Sequence, residues 1–143
     1  MSNPHENDNR LIFLSLSAQH LLKNHFIYEF KKNGIQITPA HTGILFSLLE
    51  GHKSMNNLSK LLNIRNSTVT GLIDRLEAKN FVERVSDLGD RRRWNIRITD
   101  MGKEELIKAR PIIKRINDDI AEGFTEDEIN AFKKVLKSII NKY

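Results

Sequence analysis

The sequence predicts a mainly α-helical fold with one small β-hairpin, and three observations support this. Apolar residues recur at helical spacing over most of the 143 residues. A stretch near residue 96 instead alternates apolar and polar side chains, which is the period of a half-buried strand. Glycine or proline marks several boundaries between these segments. A chain of this length suits one domain, or one protomer of an assembly, with a single core.

Both ends of the chain are predicted to be long helices. A first helix is expected over 8–33 after a polar arm at 1–7, and helices are expected over 100–143, with Thr99 and Thr125 as N-caps. Pro111 is expected to kink or split the first of these C-terminal helices. The apolar stripes at both ends are too extensive to be buried within one small protomer. We therefore expect 8–33 and 100–143 to be dimerisation helices.

Between them, Thr38 and Pro39 are expected to begin a helix as N-cap and first helical residue. A further short helix is expected after Ser54, which is a good N-cap residue. Its apolar stripe consists of Leu58, Leu61 and Leu62. Asn63 tolerates the left-handed conformation that ends a helix, so a tight turn is predicted there.

The next helix has one apolar and one polar face. The apolar face follows the i, i+3, i+4, i+7 pattern of Val69, Leu72, Ile73 and Leu76. The polar face carries candidate DNA-contacting residues, with Asn66 as the expected N-cap: Asn66, Ser67, Thr68, Thr70, Gly71 and Arg75. Hydroxyl groups and free amides at the start of a helix suit phosphate oxygens and base edges. The spacing is that of a helix-turn-helix, although an ordinary helical hairpin shows the same pattern.

A β-hairpin is expected directly after this pair of helices. Trp94, Ile96 and Ile98 alternate with polar residues, and 81–86 supplies the antiparallel partner. The loop between the strands contains the remaining candidate site residues, Asp90, Arg91, Arg92 and Arg93. Arginines at a hairpin tip can contact the phosphate backbone or a narrow minor groove, whereas an aspartate there is expected to orient a neighbouring arginine because phosphate repels it. An arginine run is usually a solvated surface, but its position here favours DNA.

Together these elements predict a winged helix-turn-helix at 38–99, flanked by dimerisation helices in a single protomer 1–143. Short motifs between residues 37 and 102 support the same fold: Thr68-Val69-Thr70, Leu76-Glu77, Val82-Glu83-Arg84, Asp90-Arg91-Arg92, and Ile98-Thr99 before Gly102. In these motifs the chain resembles the MarR family (multiple antibiotic resistance regulators) of bacterial winged-helix transcription factors. It departs from the family at Gly71, where many members have arginine, and at Asn80, where glycine is common.

The resemblance implies a homodimer that binds a pseudo-palindromic operator, and control by a small-molecule effector. The family's ligand pocket lies between the dimerisation helices and the DNA-binding region. The candidates to line such a pocket are Phe26, Phe30, His41 and Phe46. Aromatic residues at helical spacing are more often part of the core, and that alternative stays open.

Composition narrows the possible functions. The net charge is +5, and residues 65–99 hold eight basic against five acidic side chains, which favours a polyanionic partner such as double-stranded DNA. The absence of cysteine excludes disulfides and cysteine-ligated zinc. The five histidines lack HxxxH or HExxH spacing, so surface or interface roles are favoured over a composite metal site. No P-loop, GxGxxG or GxSxG motif is present, so neither a cofactor nor an enzymatic activity is expected. No signal peptide or apolar membrane span is evident, which favours a cytoplasmic protein.

Two functional hypotheses follow. The first is a homodimeric, sequence-specific transcriptional regulator, specifically a ligand-responsive repressor. The alternative is a winged-helix module that binds an acidic protein partner and no specific DNA. Protein-binding surfaces are typically built around exposed apolar anchors. The serine, threonines and glycine of the candidate face favour DNA.

Overall fold

The computed structural model describes residues 10–87 and 89–143, apart from the side chains of Asp87, Asp90, Arg91 and Arg92. The described residues form six helices and three strands. They are α1 (Leu11–Lys32), α2 (Pro39–Leu48), β1 (Lys53–Ser54), α3 (Met55–Leu62), α4 (Asn66–Ala78), β2 (Val82–Asp87), β3 (Asp90–Ile98), α5 (Asp100–Ala121) and α6 (Glu126–Lys142). The polar arm predicted at 1–7, and the predicted helix start at residue 8, lie outside the described residues.

The predicted start of α2 is confirmed and is reinforced by a reciprocal cap. The Thr38 hydroxyl accepts a hydrogen bond from the His41 backbone N–H, while His41 Nδ1 accepts one from the Thr38 N–H at 3.2 Å. Pro39 is the first helical residue, where its missing N–H costs nothing. This capping box fixes where α2 begins.

Helices α3 and α4 meet across the predicted tight turn. Ser54 caps α3 by accepting from the Asn57 N–H at 3.1 Å, and Asn63 has the expected left-handed backbone, with φ of 52°. The predicted α3 stripe is wrong at Leu61, which is 59% exposed although Leu58 is fully buried. Leu62 instead packs toward Gly43 of α2. Because α3 has only eight residues, its contact with the core covers a narrower stripe than the sequence pattern predicts.

The three strands form an antiparallel sheet in the order β1-β3-β2. The hairpin of β2 and β3 is confirmed, whereas β1 was not predicted. The prediction that the arginines lie in a loop is wrong, because β3 begins at Asp90, opposite Asp87, and so includes Arg91, Arg92 and Arg93. Ile96 and Ile98 are buried as expected, but Trp94 is 49% exposed. Trp94 pairs with Ser86 near the hairpin tip, beyond the reach of the core.

Helix α5 begins directly after β3, and its first turn packs very closely against the residue that precedes β2. The Thr99 hydroxyl accepts from the Gly102 N–H at 3.1 Å, which confirms Thr99 as a helix cap. Gly102 lies against the Phe81 backbone so tightly that a Cβ atom would come within 2.2 Å of the Phe81 carbonyl oxygen. Pro111 lies inside α5, which is one helix and is not split.

The chain divides into two compact units, 10–112 among the described residues and 113–143. The first holds the core formed by α2, α3, α4 and the sheet. In the second, Thr125 and Glu128 form the capping box of α6, and no residue of α6 is buried. No helix in the described part of the chain is long and apolar enough to cross a lipid bilayer.

Candidate nucleic-acid interface

Helix α4 has the two faces that the sequence predicts. The side chains of its apolar stripe, Val69, Leu72, Ile73 and Leu76, are all at most 9% exposed. On the other side, Ser67, Thr68, Thr70 and Arg75 are exposed, and Gly71 is partly exposed. The packing of the stripe therefore holds a row of small polar groups at the surface of the protein.

The N-terminus of α4 differs from the prediction. Arg65, with φ of −69° and ψ of 149°, occupies the N-cap position, and its side chain makes no capping hydrogen bond. The prediction that Asn66 is the N-cap is wrong, because Asn66 already has a place inside the helix. Its side-chain amide instead donates to Asn56 Oδ1 of α3 at 3.3 Å. The first turn of α4 is thus without a side-chain cap from its N-cap residue and can offer backbone N–H groups to an anion.

Thr70 and Gly71 shape the middle of the polar face. The Thr70 hydroxyl donates to the Asn66 carbonyl oxygen at 2.9 Å. In this rotamer its proton is already used, so the oxygen is available as an acceptor. Gly71 leaves a bare position, since a Cβ atom placed there would meet nothing within 4 Å. This part of the face can therefore approach another molecule closely.

The β2–β3 hairpin supplies the second candidate contact surface. Arg93 is exposed on β3. The side chains predicted to contact DNA at Arg91 and Arg92, and the orienting side chain of Asp90, lie outside the described part of the structure. What the backbone establishes is that all four residues belong to one strand near the hairpin tip.

A contact that sequence reasoning missed joins this hairpin to α4. From β2, Arg84 Nη2 donates to Asp74 Oδ1 and Arg84 Nη1 to Glu77 Oε1, each at 2.5 Å. The two carboxylates raise the pKa of Arg84 above its ordinary value, mainly through the hydrogen bond to Asp74. Asp74 and Glu77 stand three residues apart on a helix, and Arg84 follows seven residues after Glu77. This spacing of opposite charges is only a weak signal for the contact, because Arg84 meets the two carboxylates through the packing of β2 on α4.

Of the four residues predicted to line a ligand pocket, Phe30 borders a cavity in the described part of the chain. A cavity of about 240 Å³ in the first unit is lined by Phe30 and two other residues of α1, by residues of the α1–α2 loop and by Lys79. Phe26, His41 and Phe46 are not among its lining residues. Phe26 packs on Phe30 with ring centroids 4.5 Å apart, and Phe46 lies under the Arg110 guanidinium.

His41 is 4% exposed and belongs to the capping box of α2. Burial lowers its pKa from the ordinary 6.5, and the positive charges of Lys79 and Arg75 lower the pKa further. Its Nε2 atom is buried and has no hydrogen-bond partner among the described residues. Within that same part of the chain, no group of three or more histidine or acidic side chains is arranged to hold a metal ion.

Comparison with known proteins defines the class of protein. A family model described as the MarR family matches residues 37–94, which span α2 to β3. The chain is 34% identical over 111 residues to the HTH-type transcriptional regulator YsmB of Bacillus subtilis (strain 168), a match that covers 75% of this chain and 74% of YsmB. The chain belongs to the MarR family of helix-turn-helix transcriptional regulators, and is a DNA-binding regulator.

Solved structures share the fold over nearly the whole chain. The S. aureus MepR–DNA complex superposes with a TM-score of 0.85 at 22% identity, covering 95% of this chain and 100% of MepR. The PcaV regulator of Streptomyces coelicolor, in complex with its natural ligand, gives a TM-score of 0.78 at 19% identity, covering 99% and 96%. Both likenesses identify a winged helix with long flanking helices as the architecture of this chain.

Proposed function

We propose that the protein is a homodimeric, ligand-responsive repressor that places α4 in the major groove of a pseudo-palindromic operator. The observation that carries this proposal is the exposed row of hydroxyl groups on α4, held in place by a fully buried stripe on the opposite side. A helix of this kind, followed by a hairpin rich in arginine, has the contact groups that major-groove recognition needs.

Each candidate residue has a proposed role. Asn66, Ser67, Thr68 and Thr70 contact base edges or nearby phosphates, and Gly71 lets the helix approach the groove. Arg75 contacts a phosphate, while Arg91, Arg92 and Arg93 reach the phosphate backbone or the minor groove. Because the Thr70 proton is already donated to Asn66, its oxygen would accept from an exocyclic amino group of adenine or cytosine.

Dimerisation is proposed from the apolar surface of the terminal helices. On α1, Leu11, Ile12, Leu16 and Leu21 are each more than half exposed. On α6, the exposed apolar residues are Phe132, Val135, Leu136, Ile139 and Ile140. Apolar surface of this extent is characteristic of an interface, and a second copy of the chain would cover it. A two-fold dimer presents two copies of α4, which calls for two half-sites about one helical turn apart.

Repression and its release complete the proposal. A dimer bound across an operator excludes other proteins from the DNA that it covers. The cavity lined by Phe30, Ile35 and Lys79 touches the C-terminal end of α4, so a small molecule bound there could change the position of that helix. The ligand complex of PcaV supports an effector of this general kind. The proposed site is a binding surface and includes no catalytic group.

The proposal is tested by selecting bound fragments from a random DNA pool with the purified protein and measuring affinity over a range of salt concentrations. A palindromic consensus is expected. Arg92→Gln should weaken binding to all sequences and flatten the salt slope by about one unit. Thr70→Val, which keeps the shape of the side chain, should instead lower operator affinity more than affinity for random DNA.

Lys103→Gln serves as a charge control, because Lys103 lies on α5, at the end of β3 away from the hairpin tip. It should leave both affinities unchanged. A selection that returns no consensus, or a Thr70 variant that loses operator and random DNA equally, would contradict the proposal. A promoter fusion then checks the sign of regulation, since expression should rise when the gene for the protein is deleted.

A further inference from the structure

The backbone of Gln36, in the loop between α1 and α2, is held by side chains from two other helices. Lys79 Nζ donates to the Gln36 carbonyl oxygen at 2.6 Å. The Gln36 N–H donates to Glu105 Oε1, also at 2.6 Å. We call Lys79, the Gln36 backbone and Glu105 the Gln36 bridge. It connects α4 to α5 through Gln36, a single residue of the loop between α1 and α2.

On the α5 side, the bridge ends in a buried carboxylate. Glu105 is 3% exposed, and its other oxygen lies 3.9 Å from Lys108 Nζ. A buried charge is costly unless hydrogen bonds and opposite charges compensate it, so the contact with the Gln36 N–H is hard to give up. The bond therefore fixes Gln36 relative to α5.

On the α4 side, the bridge starts at the C-terminal end of the helix, far from the first turn. Lys79 is the C-cap residue of α4, where a positive charge is favoured by the helix dipole. Its ammonium group donates to the Gln36 carbonyl oxygen. It lies at the opposite end of α4 from the exposed hydroxyl groups of Ser67 and Thr68. Lys79 thus links the C-terminal end of α4 to the α1–α2 loop, in addition to the packing of the buried stripe.

We propose that the Gln36 bridge sets the orientation of α4 relative to α5, and through it the half-site spacing that the dimer accepts. This inference rests on the proposed function, since it assumes that α4 enters the groove and that α5 belongs to the dimerising part. Lys79 and Glu105 are positioning residues that do not touch DNA. Loss of the bridge leaves each copy of α4 able to bind DNA but lets its position vary.

The test compares Lys79→Met with Lys103→Met, which removes the same charge from an exposed position on α5. Lys79→Met should lower operator affinity about five- to tenfold, because DNA binding would then have to order α4 without the hydrogen bond, and the salt slope should be unchanged. It should also narrow the difference in affinity between the operator and operators with one base pair added or removed between half-sites. Lys103→Met should do neither.

Two Glu105 variants test the other side of the bridge. Glu105→Gln keeps an acceptor for the Gln36 N–H and should retain the spacing preference, whereas Glu105→Leu should lose it. Combining Glu105→Leu with Lys79→Met should add little to the larger single effect, because both act through Gln36. Thermal unfolding of each variant shows whether the fold survives the change.

Three outcomes would overturn the inference. A salt slope that falls by about one unit in Lys79→Met would make Lys79 a phosphate contact. Spacing preference unchanged in Lys79→Met would leave the bridge without a role. Amide hydrogen exchange without DNA decides the matter independently: Lys79→Met should speed exchange at 33–38 and around residue 79, and unchanged exchange refutes the bridge. A wild-type protein without operator preference would instead refute the proposed function.

Discussion

Two glycines of the same chain, both inside helices, have opposite surroundings. At Gly102, a Cβ atom would lie 2.2 Å from the Phe81 carbonyl oxygen and 2.8 Å from Ile98 Cγ1, so backbone would have to move. At Gly71, a Cβ atom would meet nothing. Glycine at position 102 is thus required for the close packing of α5 on the hairpin, while at position 71 it has no packing role within the protein and weakens the helix.

Alanine at the two positions should therefore have opposite effects. Gly102→Ala is expected to lower the free energy of unfolding by about 1–3 kcal/mol through overpacking. Gly71→Ala should raise it by about 0.5–1 kcal/mol through helix propensity. Urea unfolding of both variants against the wild type measures the difference, and similar values for the two would contradict the packing at Gly102.

At His41, stability is linked to pH. Because the folded state holds the pKa below the ordinary 6.5, the unfolded chain binds the proton more readily. The contribution of His41 to the free energy of unfolding is therefore complete above about pH 6.5, the ordinary pKa, and decreases as the pH falls below that value. Protonation of His41 Nδ1 would also turn this atom from an acceptor into a donor. It could then no longer accept from the Thr38 N–H, and the capping box would break.

His41→Gln provides the matched comparison, because glutamine at this position can accept from the Thr38 N–H but does not titrate. The melting temperature of the wild type should fall more between pH 7.5 and 5.5 than that of His41→Gln. The other histidines are common to both proteins and cancel in the difference. Parallel curves would exclude His41 as the titrating group.

At the scale of elements, the contact between the β2–β3 hairpin and α4 has unequal parts. Arg84, whose side chain is 25% exposed, bonds two carboxylates of α4. Arg97 pairs with Glu83 across the two strands, but both side chains are about half exposed. Exposed ion pairs contribute little, whereas a two-pronged contact between different elements fixes their relative placement.

Arg84→Met should accordingly lower the free energy of unfolding by about 1 kcal/mol and weaken operator binding, since the side-chain link between the hairpin and α4 would be lost. Arg97→Met, the control, should change stability by less than about 0.5 kcal/mol. Chemical denaturation and a binding titration check both values. An equal loss in the two variants would show that Arg84 has no special role.

Elements with a strong local pattern were predictable, and those that depend on distant contacts were not. The stripe of α4 and the caps Thr38, Ser54 and Thr125 follow from neighbouring residues alone. Strand β1 has two residues, too few for an alternation, and it exists because Lys53 pairs with the distant Ile96. The Asn66 cap failed for a similar reason, since the side chain bonds Asn56 on another helix.

For the whole molecule, the exposed apolar side of α6 predicts a dimer that a single charge can break. Ile139→Glu, at a position that is 42% exposed, should leave the fold intact but introduce a charge into the interface. Light scattering should then show a monomer with much weaker operator binding. Lys137→Glu, on the same helix, should remain dimeric. A monomeric wild type at micromolar concentration would refute the dimer.

The same scale explains why the candidate site was only partly predictable. The exposure of the hydroxyl groups on α4 was predictable, because a helix face is a local pattern, whereas the candidate arginines were predicted in a loop and lie in β3. The hydrogen bond from Arg84 to Asp74 and the Gln36 bridge depend on how the elements pack. Local sequence patterns therefore give only weak signals of them. Contacts that position the proposed DNA-binding surface are thus harder to predict than the surface itself.

Trp94 has a practical consequence. It is the only tryptophan in the chain, and it stands half exposed on β3 near the end of the hairpin. The intrinsic fluorescence of the protein, excited at the red edge of the indole band, therefore comes from this one location. Any change in emission on mixing with a DNA duplex would report the environment of the β2–β3 hairpin alone, without a dye or a label.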